Sequence, residues 1–500
     1  MFDTAELGQK VSKADFKERE LELREALLKL QYRCLELSGF PVIIDLAGVD
    51  GAGKGTTVDL LNKWMDPRWI RAIGYQEPTA EESARPRYWR YWRDLPPKGR
   101  IGLYLSGRYS PALLGRVYGQ LDDAEFDDRL SEIIRFENTL ADDGALILKF
   151  WMHLSRESQK ERLEALSADP LLSYQVKEKD WRNHENYDEF IAAAEKIITR
   201  TNRSAARWNI VEGVDANYRH LAVGEVIRSE LERHLARFES APADAGFADP
   251  RETNGSRDET PHSLTIFDNL DMSKTLPKGK NGRKLKKLQA RLGELGRKAR
   301  EQGQSTVLVF EGPDAAGKGG AIRRTVWSLD ARAYRIYQFA APTDVERQHH
   351  YLWRFWKKLP RAGNVSVFDR SWYGRVLVER LEGFATEAEW RRAYNEINDF
   401  ESQIVGRGII LLKFWLHITK DEQLKRFNQR AESTYKHWKL TDEDWRNREL
   451  WEAYEQAAHD MVQFTSTGEA PWILVEGNNK HYARQKVIQS VCDALEARVG

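Results

Sequence analysis

Gly312 to Gly320 reads GPDAAGKGG, and Gly48 to Thr57 reads GVDGAGKGTT. Both stretches follow the pattern G-x-D-x-x-G-K-G, and each comes after an apolar run. Before the second, Val307-Leu308-Val309-Phe310 has the length and composition of a strand buried on both faces, and the residues from Gly320 to Leu329 look helical. A glycine-rich turn between a strand and a helix aims backbone N–H groups and the helix dipole at an anion, so both stretches read as phosphate-binding loops. In the second loop the N–H groups would come from Gly312, Ala315, Ala316, Gly317, Gly319 and Gly320, with Lys318 reaching the terminal phosphoryl oxygens.

The two loops are landmarks of a larger repeat. An offset of 264 residues carries Gly48 to Gly312, and it also carries Trp89-Arg90 to Trp353-Arg354 and Lys149-Phe150-Trp151 to Lys413-Phe414-Trp415. The same offset pairs Trp181-Arg182-Asn183 with Trp445-Arg446-Asn447 and Glu212-Gly213 with Glu476-Gly477. One constant register over so many matches is the mark of a tandem duplication. Within the second copy, Val365 to Phe368, Ile409 to Trp415 and Trp472 to Val475 are further strand candidates separated by helical stretches. That alternation predicts an α/β fold in each copy, a parallel sheet flanked by helices. The expected domains are residues 11–238 and 276–500. The join at 239–275 is rich in Ala, Asp, Pro, Gly and Ser from Glu239 to Glu259 and reads as a linker. The basic run from Lys278 to Arg283 beyond it reads as a solvated helix start, with a phosphate-attracting patch as the alternative.

Bulk properties agree with two domains. A chain of 500 residues exceeds one ordinary core, and 41% hydrophobic residues with 17 tryptophans can fill two. The net charge of +1, from 78 basic and 77 acidic residues, argues against a nucleic-acid partner. Cys34 and Cys492 stand far apart without metal-ligand spacing, and no stretch approaches a membrane span or a signal peptide. A cytoplasmic protein without a membrane partner is expected.

The position after the loop lysine usually carries a Ser or Thr that ligates Mg²⁺, but here it is Gly319. The metal must then find oxygen elsewhere. Asp314 inside the loop is one candidate, the alternative being that it only shapes the turn. Asp369, at the end of Val365–Phe368 in VFDRSWYGR, is the other, with a helix cap as the alternative. Arg370 and Arg375 follow, and arginine forks suit phosphoryl oxygens and transition-state charge. Trp372, Tyr373, Trp353, Phe355 and Trp356 read as packing residues, and His349-His350 as a surface or groove pair. In DEQLKRFNQRAESTYKHWK, Asp421 to Lys439, the cations Lys425, Arg426, Arg430, Lys436 and Lys439 crowd a polar helical stretch, with Arg426 and Arg430 on one face. Its place before the last strand suits a closing lid; a solvated face is the alternative.

GPDAAGKGG, FDRSWYGR, KFWLHI and TDEDWRNRELW together resemble the type-2 polyphosphate kinases, and the tandem arrangement resembles their two-domain subclass. The resemblance covers both copies. It implies a thymidylate-kinase-like P-loop fold with a helical lid, and transfer of a phosphoryl group from inorganic polyphosphate to AMP, giving ADP. It implies Mg²⁺, with Mn²⁺ as a substitute, held by Asp314 and Asp369. Lys318 and Arg370 would bind the transferring phosphoryl region, Arg430 would join on closure, and Arg426, Lys436 and Lys439 would line the polyphosphate channel. Arg375 and Glu379 are carried over as substrate-binding positions, GMP as a further acceptor, and self-association as a family trait. An ATP-dependent nucleotide kinase on the same fold and a non-catalytic polyphosphate-binding protein are the rival readings.

The first copy departs from this pattern. Asp314 and Lys318 have counterparts in Asp50 and Lys54, but Asp369 meets Leu105, Arg370 meets Ser106 and Arg375 meets Pro111. Arg430, Lys436 and Lys439 meet Leu166, Leu172 and Gln175. A leucine cannot ligate a metal, so chemistry is expected in the second copy alone.

Overall fold

The computed structural model describes residues 1–240, 265–276, 281–432 and 442–500, apart from the side chains of Asn281, Asp442, Glu443, Asp444 and Asn447. The chain divides into two compact units. One comprises Met1–Glu77, Asp94–Pro250 and Gln348–His350; the other comprises Pro78–Arg93, Arg251–Arg347 and Tyr351–Gly500. Each unit is thus founded on one copy and includes a short segment of the other.

Each copy supplies a five-stranded sheet. In the first, β1 (Val42–Gly48), β2 (Ile70–Gly74), β3 (Ile101–Leu105), β4 (Leu146–His153) and β5 (Trp208–Glu212) lie in the order β2-β3-β1-β4-β5. In the second, β6 (Thr306–Glu311), β7 (Tyr334–Gln338), β8 (Val365–Asp369), β9 (Ile410–His417) and β10 (Trp472–Glu476) repeat it as β7-β8-β6-β9-β10. Every pairing is parallel. The strand that precedes the glycine loop is central in both sheets, and the loops emerge at the carboxyl ends of the strands, where open α/β sheets bind ligands.

The buried runs explain the central strands. β6 is buried at every position and β4 likewise, because helices cover both faces. The edge strand β7, YRIYQ, was not among the sequence expectations; it is half exposed and mixes polar with apolar residues, so it carries no apolar run. The loop helix spans Lys318–Val326, beginning two residues earlier and ending three earlier than Gly320 to Leu329. Trp353, Phe355, Trp356, Trp372 and Tyr373 are buried as packing residues. His350 is buried too, although a surface or groove position is expected from its polar neighbours in sequence.

A buried polar cluster ties sheet to helix in each copy. Lys413 on β9 reaches Glu401 Oε2 at 2.7 Å and the Thr465 carbonyl at 2.7 Å, while Trp372 and Tyr373 donate to Glu401. Lys149 repeats this with Glu137 at 3.0 Å and the Thr201 carbonyl at 2.7 Å. A buried ammonium is tolerable only when paired and hydrogen-bonded in this way. No described helix is long and apolar enough to cross a membrane.

Candidate active site in the second copy

The loop after β6 takes its shape from residues without, or nearly without, side chains. Gly312 has φ +141°, and a Cβ there would meet the Leu416 carbonyl oxygen at 2.4 Å, so only glycine fits against β9. Gly317, at φ +111°, turns the chain into the helix that starts with Lys318. Lys318 Nζ lies 2.5 Å from the Gly312 carbonyl, inside the curve of the loop. The N–H groups of Ala316 and Gly320 are spent on the Pro313 and Gly317 carbonyls at 3.1 and 3.0 Å, so these two residues close the turn.

The neighbouring strand brings the acids and arginine. Register pairs Phe310 with Asp369, placing Asp369 at the carboxyl end of β8 beside the loop. Arg370 then adopts φ +64° and donates its N–H to the Phe310 carbonyl at 3.2 Å. A left-handed arginine is uncommon and costs energy. Its Nη2 donates to Asp314 Oδ1 at 3.2 Å, joining strand end to loop. Asp314, Lys318 and Arg370 line one cleft with Gly312 and Pro313, and Leu377, Leu381, Trp451 and Tyr454 form its apolar wall.

Glu311, the last residue of β6, was missed by sequence reasoning and also lines the cleft. It is buried and accepts a hydrogen bond from Ser371 at 2.8 Å. Burial pushes its carboxyl above the usual range, Lys318 and Arg370 oppose this, and Asp369 adds to it. The signal was present in the repeat, since the residue that pairs with Glu311 in the first copy is Ala47. Gln423, whose amide donates to the Asp314 carbonyl at 3.1 Å, was also missed; Gln159 does the same for Asp50 at 3.2 Å, so its work is common to both copies.

The arginines of the Lys420–Ala431 helix separate in role. Arg426 was expected to bind substrate, and the structure corrects this. It is buried, and Nη1 donates to the Ala315 and Ala316 carbonyls at 2.8 and 2.9 Å. Nη2 donates to those of Gly477 and Asn478 at 2.6 and 3.0 Å, and Nε to Glu422 at 2.7 Å. With every N–H engaged, Arg426 clamps the loop from behind and has no donor left for a ligand. Arg430 stands in the last turn of the same helix and is half-buried. Lys436 and Lys439 lie outside the described residues. Arg375 and Glu379 pair with each other at 3.2 Å, and Arg375 covers the Tyr351 ring at 4.6 Å.

The first loop has a different setting. Lys54 Nζ donates to the Gly48 and Val49 carbonyls at 2.7 and 2.8 Å, and burial lowers its ammonium. Asn183 donates to Asp50 at 2.7 Å. Arg219 packs so tightly on Gly53 that a Cβ there would lie 2.3 Å from its guanidinium carbon, and it donates to the Gly213 carbonyl at 2.6 Å. Ser106 keeps the left-handed backbone of Arg370, at φ +52°, without the guanidinium.

Among the described residues no cluster of three or more His, Cys, Asp or Glu side chains could cage a metal. Mg²⁺ usually takes one or two protein carboxylates and fills its remaining positions with phosphate and water. Asp314 and Asp369 offer that number of hard oxygen donors on adjacent segments, so the residues fit the ion.

Comparison with known proteins agrees with this geometry. The profile of the Polyphosphate kinase 2 (PPK2) family matches residues 10–239 and again 275–499. The chain belongs to the PPK2 family, in a form that carries two copies of its domain. It is 47% identical to a Polyphosphate:AMP phosphotransferase of Pseudomonas aeruginosa, covering 99% of both chains, and 36% identical to one from Acinetobacter johnsonii, covering 95% of both. A crystal structure described as a polyphosphate kinase 2 from Pseudomonas aeruginosa PA01 superposes with a TM-score of 0.88 at 46% identity, covering 99% of each chain.

Proposed function

We propose that the protein is a polyphosphate:AMP phosphotransferase whose chemistry takes place in the second copy. The observation that carries the assignment is the convergence of Asp314, Lys318 and Arg370 on one cleft, at the end of β8 where Asp369 stands. In the first copy the last two of these four positions hold Ser106 and Leu105.

The reaction joins an α-phosphate oxygen of AMP to the terminal phosphorus of the chain and breaks the bridging P–O bond behind it. The shortened polyphosphate departs as an anion. Such a transfer needs alignment and charge neutralisation more than covalent help from the protein. Lys318, on the loop, binds the terminal phosphoryl oxygens. Arg370 leaves its contact with Asp314 to meet the oxygens of the moving group, where a planar fork matches two of them. Asp314 and Asp369 would hold Mg²⁺, which would supply further charge neutralisation. The apolar wall of Leu377, Leu381, Trp451 and Tyr454 suits the base and sugar of the acceptor better than a polyanion. Arg430 would add a cation when its helix moves inward.

The test is direct. Pure protein with AMP and Mg²⁺ is given polyphosphate or ATP, and ADP is measured. ADP from polyphosphate supports the assignment; ADP from ATP alone would make the protein a nucleotide kinase of the ATP-dependent kind.

A further inference from the structure

Three arginines beside the loop helix have no part in the site described above. Arg323 and Arg324 lie on the Lys318–Val326 helix, and Arg484 comes from the Lys480–Val499 helix. Arg324 Nη1 donates to the Gly320 carbonyl at 3.1 Å. Arg484 Nη2 reaches the same residue, since a Cβ on Gly320 would lie 3.3 Å from it. Gly320 closes the phosphate loop, so Arg324 and Arg484 meet at the loop's outer end, and Arg323, exposed on the same helix, adds its charge to theirs.

Their surroundings are of one sign. Among the described residues none of the three makes an ion pair with an acid. Burial lowers Arg484 to about 10, and the charges that push it further down are Arg324, Arg323 and Arg426. Arg324 is lowered by burial and then by Arg323. Like charges confined at a partly desolvated place cost free energy unless an anion joins them. The first copy has removed the whole cluster: Arg323, Arg324 and Arg484 meet Asp59, Leu60 and His220. The loss follows that of Asp369 and Arg370, whereas the scaffold residues Gln423 and Lys413 persist as Gln159 and Lys149. The arginines therefore track the chemistry.

We propose that Arg323, Arg324 and Arg484 form a second anion site, outside the reaction cleft, that grips inner phosphates of a long polyphosphate donor. The proposal rests on the assignment of polyphosphate as donor. A chain whose terminal phosphoryl group lies on the loop passes Gly320, and the cluster holds what lies beyond. A short donor ends before reaching it.

The full-length Arg323→Gln/Arg484→Gln variant tests this against the unaltered protein, with tripolyphosphate and long-chain polyphosphate as donors. Loss of charge-assisted contacts should raise KM for the long chain by at least about tenfold more than KM for tripolyphosphate. Equilibrium binding of long-chain polyphosphate without AMP should weaken likewise, with a shallower salt dependence. An equal rise for both donors would show that the arginines merely support the loop, and unchanged long-chain binding would also overturn the proposal. The binding arm reads the cluster whether or not turnover occurs. Absence of any turnover with polyphosphate in the unaltered protein would instead strike the donor assignment.

Discussion

The two glycine loops share a backbone and differ in what surrounds them. Lys54 and Lys318 both curl onto the carbonyls of their own loop, at 2.7 and 2.5 Å from Gly48 and Gly312. Around Lys318 stand Asp314, Glu311 and Arg370, facing a cleft, with Asp369 at the neighbouring strand end. Around Lys54, Arg219 presses on Gly53, where the second copy has Ala483 in place of the arginine. The clamp that supports each loop has also changed hands. In the second copy Arg426 holds the Gly477 carbonyl; in the first, Arg219 holds the equivalent Gly213 carbonyl, while Arg162, the counterpart of Arg426, is exposed. The two copies thus share the loop backbone with its aspartate and lysine, whereas Glu311, Asp369 and Arg370 occur in the second alone.

Asp369 gives the largest expected contrast between the copies. Asp369→Asn removes a charge from the strand end and should lower ADP formation by at least about 10²-fold, the usual scale for one preorganised electrostatic group. The clamp comes next. Arg426→Ala abandons four carbonyls and Glu422, and should cost about 3 kcal/mol or more by denaturant unfolding, whereas Arg162→Ala should cost less than about 0.5 kcal/mol. Equal effects would mean that the clamp has not moved.

A similar exchange lies in the cores. Where the second copy packs Trp372 and Val309, the first buries Arg108 against Asp45 at 2.9 Å and Glu137 at 2.9 Å. Arg108→Leu leaves buried acids short of a partner and should cost about 3 kcal/mol. The double change Asp45→Val/Arg108→Trp restores the second copy's pair and should recover most of that. Thermal unfolding of the three proteins decides it.

The histidines at the ends of β9 and β4 give a smaller contrast. Burial holds His417 down to about 4, with Asp268 opposing. A depressed folded value stabilises the protein above the unfolded value near 6.5, and that stability is lost as pH falls through 4. The total is on the order of 3 kcal/mol. His153 is also lowered by burial, but Glu6 sits on its Nε2 at 2.7 Å and favours the proton. Urea unfolding at pH 7 and pH 4.5 should show a pH dependence that His417→Gln reduces more than His153→Gln does.

Much of this was legible from residues alone, for identifiable reasons. Buried parallel strands are apolar runs, so β6, β8, β9 and β10 could be read directly, and the edge strand β7 could not. The loop and the strand-end position of Asp369-Arg370 were legible because their spacing from a strand is local. Arg426 was misread because a cation in a polar helix looks the same whether it meets water or four carbonyls, and only tertiary structure separates the cases. Glu311 was passed over because it ends an apolar strand without belonging to the loop pattern, although the repeat register set it against Ala47.

The central claim is that one loop serves chemistry and the other serves the fold. Lys318→Ala and Lys54→Ala, each assayed as pure full-length protein for ADP formation from AMP and polyphosphate, test it side by side. Lys318→Ala should lose at least about 10²-fold in rate while Lys54→Ala stays within about twofold per folded molecule. Equal loss from both substitutions, or a larger loss from Lys54→Ala, would contradict it.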